Sequence, residues 1–290
     1  MSQVTAILVA YNSAGVIADA LASLRRQPEI GEIVVVDNAS ADGTSDLVRR
    51  DFPAVRLIAN AKNEGFGRGN NVALQQVATP YALLVNPDAV LEDGAAAALL
   101  AAAGRWPEAA ILAPMLYEED GRPHHSYKRG VFAREKSRDR FTVPEGDLCA
   151  DFLSGAVWLL NMTLMRQVGF FDPNIFLYYE DDDLCLRARQ AGYALVLAHA
   201  ARAVHGKGLS SGRPGRRAEF EKQRLMTWSR LYMERKYGGE NAARTLARRL
   251  RIAYALKALL YALSCNCRKL NRYRGRLAGI SAAAPSGLAA

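Results

Sequence analysis

An α/β fold with a mostly parallel sheet, extended at its C-terminus by a basic helical region, is the architecture this sequence predicts. Three observations lead there. From Val4 to Ala103 short apolar runs alternate with amphipathic ones, the pattern of parallel strands joined by crossover helices. Three of the apolar runs end on polar residues, Tyr11-Asn12, Asp37-Asn38 and Asn86-Pro87-Asp88, and in open α/β sheets the carboxyl ends of strands line the ligand crevice. Charge is also split: from Arg213 onward 18 Lys and Arg face 4 Glu, whereas the preceding part carries 20 basic and 25 acidic residues. The break predicts a main domain over 1–212 and a basic helical extension over 213–290.

Each element has its own signal. "VTAILVAYN" reads as a buried strand and Val16 to Leu24 as a helix; strand "EIVVVDNAS", a helix over Thr44 to Arg50 and strand "VRLIAN" follow. A Gly-rich turn then opens a helix near Asn70 and leads to strand "YALLVNPDA". An Ala-rich helix runs from Asp93 to Ala103, with Asp93 as its cap. After "ILAPMLY" the segment 118–150 is charged, punctuated by Gly and Pro and nearly aperiodic, which predicts a long functional loop or hairpin. Structure resumes with "DFLSGAVWLL", a helix around Thr163 to Val168, the "GFFDP" turn, a helix carrying Leu184, Arg187, Ala188 and Ala191, and a last strand "ALVLAHAARAVH". Beyond Arg213, Leu246, Leu250, Ala253, Leu256, Leu260 and Leu263 recur at helical spacing, while Arg248, Arg249, Arg251 and Lys257 interrupt any spanning segment.

With 290 residues, 50% hydrophobic and 23% charged, the chain can bury one large core plus an appendage, so disorder is not its default state. The apolar run Val4 to Ala10 lacks a basic leader, which predicts a cytoplasmic protein. Cys149, Cys185, Cys265 and Cys267 lack paired metal-ligand spacing and are expected to be reduced thiols.

Several residues carry chemistry, each beside a plainer reading. Asp37, at a strand tip facing a helix start, suits a base N–H or ribose hydroxyls of a nucleotide, or equally a cap for "NASADGT". Asp88, held by Pro87 past a buried strand, suits a divalent cation on a diphosphate, or a simple β-turn. "NEGFGRGNN" offers small residues and amide donors for close backbone approach, or a tight loop with no ligand; its spacing and its place after the third strand are not those of the dinucleotide fingerprint. His205 alone is a structural histidine or a ligand. His124-His125 is declined as a metal site, because adjacent side chains diverge and no third ligand is evident. "YYEDDDL", residues 178–184, packs four adjacent carboxylates that could hold a metal, take a proton or cap a helix.

Seven blocks in order, "AILVAYNS", "VVVDNASADGT", "NEGFGRGNN", "LLVNPDAVL", "FLSGAVWLL", "GFFDPNIFLYYEDDDLCLRARQAGY" and "VHGKGLSS", resemble the family 2 glycosyltransferases, in particular the bacterial rhamnosyltransferase-like branch, from about Val4 to Ser211. The resemblance implies the GT-A fold and inverting transfer of a sugar from a nucleotide diphosphate donor to an acceptor hydroxyl. It implies that Ala10, Tyr11, Asn12 and Asp37 hold the nucleoside, and that Asn63, Gly65, Arg68, Asn70 and Gly155 line the donor side. Asp88 matches the metal-binding acid of the family's Asp-x-Asp motif, with Asn86 in place of the first Asp, and His205 a further ligand, for magnesium or manganese. Glu180-Asp181 matches the family's Glu-Asp pair, making Asp181 the general base, crowded by Glu180, Asp182 and Asp183. Asp182 and Asp183 are expected as partners of the helix dipole.

The branch further implies dTDP-rhamnose as donor, a lipid-linked or polysaccharide acceptor, and bacterial cell-surface glycan synthesis. Competing readings are a UDP-sugar donor, a nucleotidyltransferase, which would want a basic Gly-rich loop after the first strand, and a nucleotide-sugar-binding membrane scaffold. The basic amphipathic tail suits an anionic membrane surface, placing the protein peripherally on the inner face of the cell membrane, or else packs as a solvated bundle. No nucleic-acid recognition motif accompanies the charge. The basic run Lys128, Arg129, Arg134, Lys136, Arg138 and Arg140 is a solvated loop or an approach for an acidic acceptor.

Overall fold

The computed structural model describes residues 3–128, 143–206 and 215–283, so Arg129 to Arg140 and the basic segment after Gly206 lie outside the described residues. The chain divides into two compact units: Met1–Asp172 with Asp181–Gly212, and Pro173–Glu180 with Arg213–Ala290.

In the first unit, β1 (Val4–Ala10) leads through α1 (Ile17–Arg25) to β2 (Ile30–Asp37), and α2 (Thr44–Asp51) to β3 (Arg56–Ala59). Then come α3 (Phe66–Leu74), β4 (Tyr81–Val85), β5 (Ala89–Leu91), α4 (Ala95–Arg105) and β6 (Ala109–Tyr117). The remainder comprises β7 (Tyr127–Lys128), β8 (Leu148–Cys149), β9 (Phe152–Leu153), β10 (Val157–Asn161), α5 (Met162–Val168), α6 (Glu180–Gln190) and β11 (Ala194–His205). Among the described residues the main sheet has the order β3-β2-β1-β4-β10-β6-β11-β5, with β8 also on β11, while β7 and β9 form a separate pair. β1 to β4 are mutually parallel, β10 runs against both its neighbours, and β6 and β11 are parallel to each other.

Every residue of β1 is buried, which is why its sequence is an unbroken apolar run rather than an alternating one. Alternate residues serve opposite faces: Val4, Ala6, Leu8 and Ala10 join the core under α1 and α4, and Ile7 and Val9 the core containing Trp158, Phe171 and Leu184. The segment expected as a long loop or hairpin over 118–150 contributes the short strands β7 and β8 among its described residues. Asp93 does not cap α4: Gly94 takes the N-cap with φ of 78°, and Asp93 pairs with Arg26 at 2.9 Å.

The second unit contains α7 (Arg216–Leu263), with a break in helical geometry at Gly239 (φ 81°), and α8 (Cys267–Ala282). Asn266 caps α8 by accepting from the Lys269 amide at 3.1 Å. α8 packs closely on α7 because Gly275 and Gly279 have no side chain: a Cβ there would lie 2.5 Å from the Phe220 carbonyl oxygen and 2.4 Å from that of Arg224. No helix among the described residues is long and apolar enough to cross a membrane.

Candidate active site

The parallel register sets Ala10 opposite Asp37, and the Asn38 amide donates to the Ala10 carbonyl at 2.8 Å. Asp37 is 3% exposed. Its Oδ1 accepts from the hydroxyl and, at 3.3 Å, the amide of Ser40; its Oδ2 accepts from the Ser45 hydroxyl at 2.5 Å. A carboxylate offers about four acceptor positions, so this anchoring leaves one on Oδ2 for a ligand. Both readings of Asp37 are therefore compatible: it fixes the turn that follows β2 and keeps capacity beyond it. Asn12 has φ of 52°, its amide donates to the Ser40 hydroxyl at 2.8 Å, and its Oδ1 accepts from the Ala41 amide at 2.9 Å. Tyr11 stands 44% exposed at the same strand tip.

The glycine-rich stretch is not a loop ahead of the helix. α3 begins at Phe66, placing Gly67 and Gly69 in its first turn. They are there for contact: a Cβ at Gly69 would lie 2.7 Å from Val9 Cγ1, and one at Gly67 2.9 Å from Phe171 Cβ. Gly65, with φ of 85°, donates its amide to Asn63 Oδ1 at 2.9 Å and accepts from Asn38 Nδ2 at 2.9 Å, tying this turn to the β2 tip. Asn70 is buried and donates to the Phe66 carbonyl at 3.0 Å, while Asn71 exchanges hydrogen bonds with the Phe171 backbone. Neither caps the helix start. Arg68 is surface-exposed and pairs with Glu64 at 3.3 Å.

Between β4 and β5 the Asn86-Pro87-Asp88 turn is closed by the Ala89 amide donating to the Asn86 carbonyl at 3.0 Å. β5 pairs with β11 so that Ala89 faces His205, bringing His205 Nε2 to 3.4 Å from Asp88 Oδ1 and 3.5 Å from Asn86 Nδ2. Asn86 Oδ1 is buried and has no hydrogen-bond partner among the described residues. A carboxylate and an imidazole thus meet beside the Asn86 amide, which turns its Nδ2 toward the imidazole; the carboxylate and imidazole are donors that fit a divalent cation with further positions left to ligand oxygens. No group of three His, Cys, Asp or Glu that could hold a metal occurs among the described residues. His124 lies beside this cluster, its ring centroid 6.1 Å from that of His205.

The same turn connects to the acidic helix start. The Asn86 amide donates to the Ala156 carbonyl at 2.8 Å, and a Cβ at the neighbouring Gly155 would sit 3.4 Å from Asp181 Cβ. Asp181 accepts from the amide of Asp182 at 3.0 Å and from that of Gly155. Asp181 and Asp182 keep part of their surface open to solvent, yet removal from water is the largest influence on both and raises their proton affinity. Burial, then the charge of Asp181, push Asp182 up to about 7, so the two carboxyls titrate as a pair. Lys128 opposes the rise in both and stacks its ammonium 4.6 Å from the Phe152 ring centre.

Asp183 does something else. Fully buried, it pairs with Arg187 at 2.8 Å, and Arg187 donates in turn to the carbonyls of Val168, Gly169 and Phe170. Neither Asp182 nor Asp183 is thus a mere dipole partner: one shares protons with Asp181 and the other locks the turn before it. Glu180 is buried and belongs to the second unit; Tyr178 and Tyr179 ahead of it both have left-handed backbones, φ 69° and 71°. Cys185 is buried below, its thiol pushed far up by burial, and it donates to the Leu153 carbonyl.

Sequence comparison decides the family. Residues 5–166 match the family described as Glycosyl transferase family 2. The chain belongs to glycosyl transferase family 2. This glycosyltransferase is 29% identical over 211 residues, 62% of its own length and 68% of the other's, to an N-acetylglucosaminyl-diphospho-decaprenol L-rhamnosyltransferase of Mycobacterium tuberculosis. It is 24% identical over 221 residues, covering 69% of itself and 81% of the relative, to the rhamnosyltransferase WbbL of Escherichia coli. Among solved structures it resembles the mannosyltransferase PcManGT of Pyrobaculum calidifontis, determined with GDP-Man and Mn2+, at a TM-score of 0.58 and 17% identity over 97% of this chain and 86% of that one. The GT-A-like architecture, a mixed and mostly parallel sheet flanked by helices, is therefore shared.

Register, not sequence proximity, sets Asp37 opposite Ala10 and brings His205 to Asp88. Lys128 and the proton-sharing role of Asp182 were missed as site features: the first looked like one of many loop cations, and the second depends on how deeply the helix start is enclosed.

Proposed function

We propose that this glycosyltransferase inverts configuration while moving L-rhamnose from dTDP-rhamnose to a hydroxyl of a lipid-linked or polysaccharide acceptor in bacterial cell-surface glycan synthesis. The observation that carries the reading is the continuity from the Asn86–Asp88 turn through Ala156 and Gly155 to Asp181, which sets a desolvated, solvent-reachable carboxylate beside the nucleotide-side turn. The donor sugar is taken from what the mycobacterial and Escherichia coli relatives are named for.

Asp181 accepts the acceptor hydroxyl proton as that oxygen attacks the anomeric carbon from the face opposite the diphosphate. The bond from that carbon to the diphosphate oxygen breaks, and its electron pair leaves with the diphosphate. Raised proton affinity makes Asp181 a stronger base once ionised, and the nearby Lys128 ammonium opposes part of that rise. Ala10, Tyr11, Asn12 and Asp37 receive the nucleoside; Asn63, Gly65, Arg68 and Asn70 shape the wall beside it. Asp88 and His205 would hold magnesium or manganese, which when bound neutralises charge building on the leaving diphosphate. Glu180, next to the base in sequence, is the other acid of the Glu-Asp pair. The basic extension docks on anionic membrane, where a lipid-linked acceptor resides.

Replacing Asp181 by Asn tests the base: turnover is expected to fall by about 10²-fold or more with donor binding retained, and unchanged turnover excludes the assignment. Thermal stabilisation by a panel of nucleotide sugars, with and without manganese, tests the donor. dTDP-rhamnose is expected to give the largest shift, and equal shifts from all donors rule it out.

A further inference from the structure

Five large aliphatic side chains on the C-terminal part of α7, Ile252, Leu256, Leu259, Leu260 and Leu263, stand between 58% and 77% exposed. At 3.6 residues per turn they fall within one arc of roughly 100°. The opposite side of the same helix is satisfied: Leu246, Leu250 and Tyr254 pack with Leu231, Ile280 and Ala283, and Tyr254 and Tyr261 contact Tyr273 of α8 at 5.7 and 5.6 Å between ring centres. The exposed ridge is therefore surplus to the helical pair's own packing, and a contiguous patch of this kind marks an interaction surface.

Charge identifies what covers it. From Asn241 to Ala290 the sequence has 10 Lys and Arg and no Asp or Glu. Arg244, Arg248 and Arg251 lie along one margin of the ridge. Lys257 lies along the other, where it and Lys269 and Arg276 sit over the rings of Tyr273, Tyr261 and Tyr254 at 5.0–5.7 Å. A second copy would bring like-charged margins together, which opposes association. An anionic bilayer satisfies both features, apolar side chains entering the acyl boundary and long basic side chains reaching headgroup phosphates. Since no helix among the described residues can cross, the element lies in the plane.

We propose that the Ile252–Leu263 ridge of α7 is a membrane-inserting surface for anionic phospholipid, tilted so that its Leu263 end sits deepest. The tilt follows from Arg249, which occupies the ridge's own arc one turn before Ile252, and from Arg248 on its margin, which keep that end at headgroup level. This deepens the membrane reading of the extension given above by naming the side chains that enter and their order of depth.

The test is sedimentation of the full chain with phosphatidylglycerol-rich and with pure phosphatidylcholine vesicles, alongside transfer to a soluble acceptor. The wild type is expected to bind the anionic vesicles, the double variant Leu256→Glu/Leu260→Glu to lose at least about tenfold in partitioning, and Leu263→Glu alone to lose more than Ile252→Glu. These residues face solvent, so melting curves and soluble-acceptor turnover are expected to match the wild type. Ile252→Ser/Leu263→Ser gives the same reading without added negative charge. Undiminished binding by the double variants overturns the proposal, as does a wild-type dimer that the variants dissolve without any lipid binding. Lipid binding lost in the variants while no preparation transfers sugar upholds the ridge and defeats the glycan reading instead.

Discussion

Gly155 and Asp181 are in contact across the site: the Gly155 amide hydrogen-bonds the Asp181 carboxylate, and the space where a Gly155 side chain would start ends 3.4 Å away at Asp181 Cβ. A Cβ alone would sit there at ordinary van der Waals contact, but a branched side chain would press on Asp181 and push its carboxylate from its place. Gly155→Val is expected to lower kcat by about 10²-fold, the scale of a 1 Å misplacement, with donor affinity nearly unchanged. Steady-state kinetics with a donor-binding measurement would check it; a loss confined to donor affinity would count against Asp181 as the displaced group.

The acidic pair predicts a pH profile. A base works only when ionised, and burial raises both carboxyls, Asp182 to about 7. Turnover is therefore expected to rise as pH increases toward neutrality and to level off above it. Asp181's charge raises Asp182, whereas the Asp182 side chain hydrogen-bonds Asp181 and lowers it, so Asp182→Ala is expected to move the rising limb to higher pH. A shift to lower pH would show that Asp182 burdens Asp181 instead of supporting its ionised form.

The same shift has a consequence for stability. Asp182 holds its proton more tightly folded than unfolded, so the folded state binds more protons between pH 3.8 and about 7 and stability falls as pH climbs through that window. Asp182→Asn is expected to be more stable than the wild type at pH 8, by about 1–3 kcal/mol, and indistinguishable near pH 4. Urea unfolding at the two pH values is the measurement, and an equal difference at both would refute the linkage.

Arg187 joins buried Asp183 to three carbonyls of the turn over Val168 to Phe170. Arg187→Met strands a carboxylate without its cation and is expected to cost about 3–5 kcal/mol. Adding Asp183→Asn should recover part of that loss. If the double variant is no more stable than the single one, the ion pair is not what holds the turn.

The site was legible in the sequence where polar residues follow unbroken apolar runs. Asp37 and Asp88 stand out because a charge interrupts the apolar run of a buried strand and so marks its end, although both are themselves buried. Gly67 and Gly69 misled, since glycine ordinarily marks a turn; here the helix begins early and the missing side chains admit Val9 and Phe171. Asp93 looked like a cap by position alone, but the left-handed Gly94 supplies the helix entry instead.

Local composition determined the alternation of strands and helices, the division of charge and the identity of the acidic helix start, because each follows from neighbours within a few turns of chain. Tertiary structure alone decided that His205 reaches Asp88, that Asp181 lies against Gly155 and that Asp182 shares its protons while Asp183 belongs to Arg187. Those outcomes depend on strand register and on how much water remains around a carboxylate, quantities set by distant segments packing together.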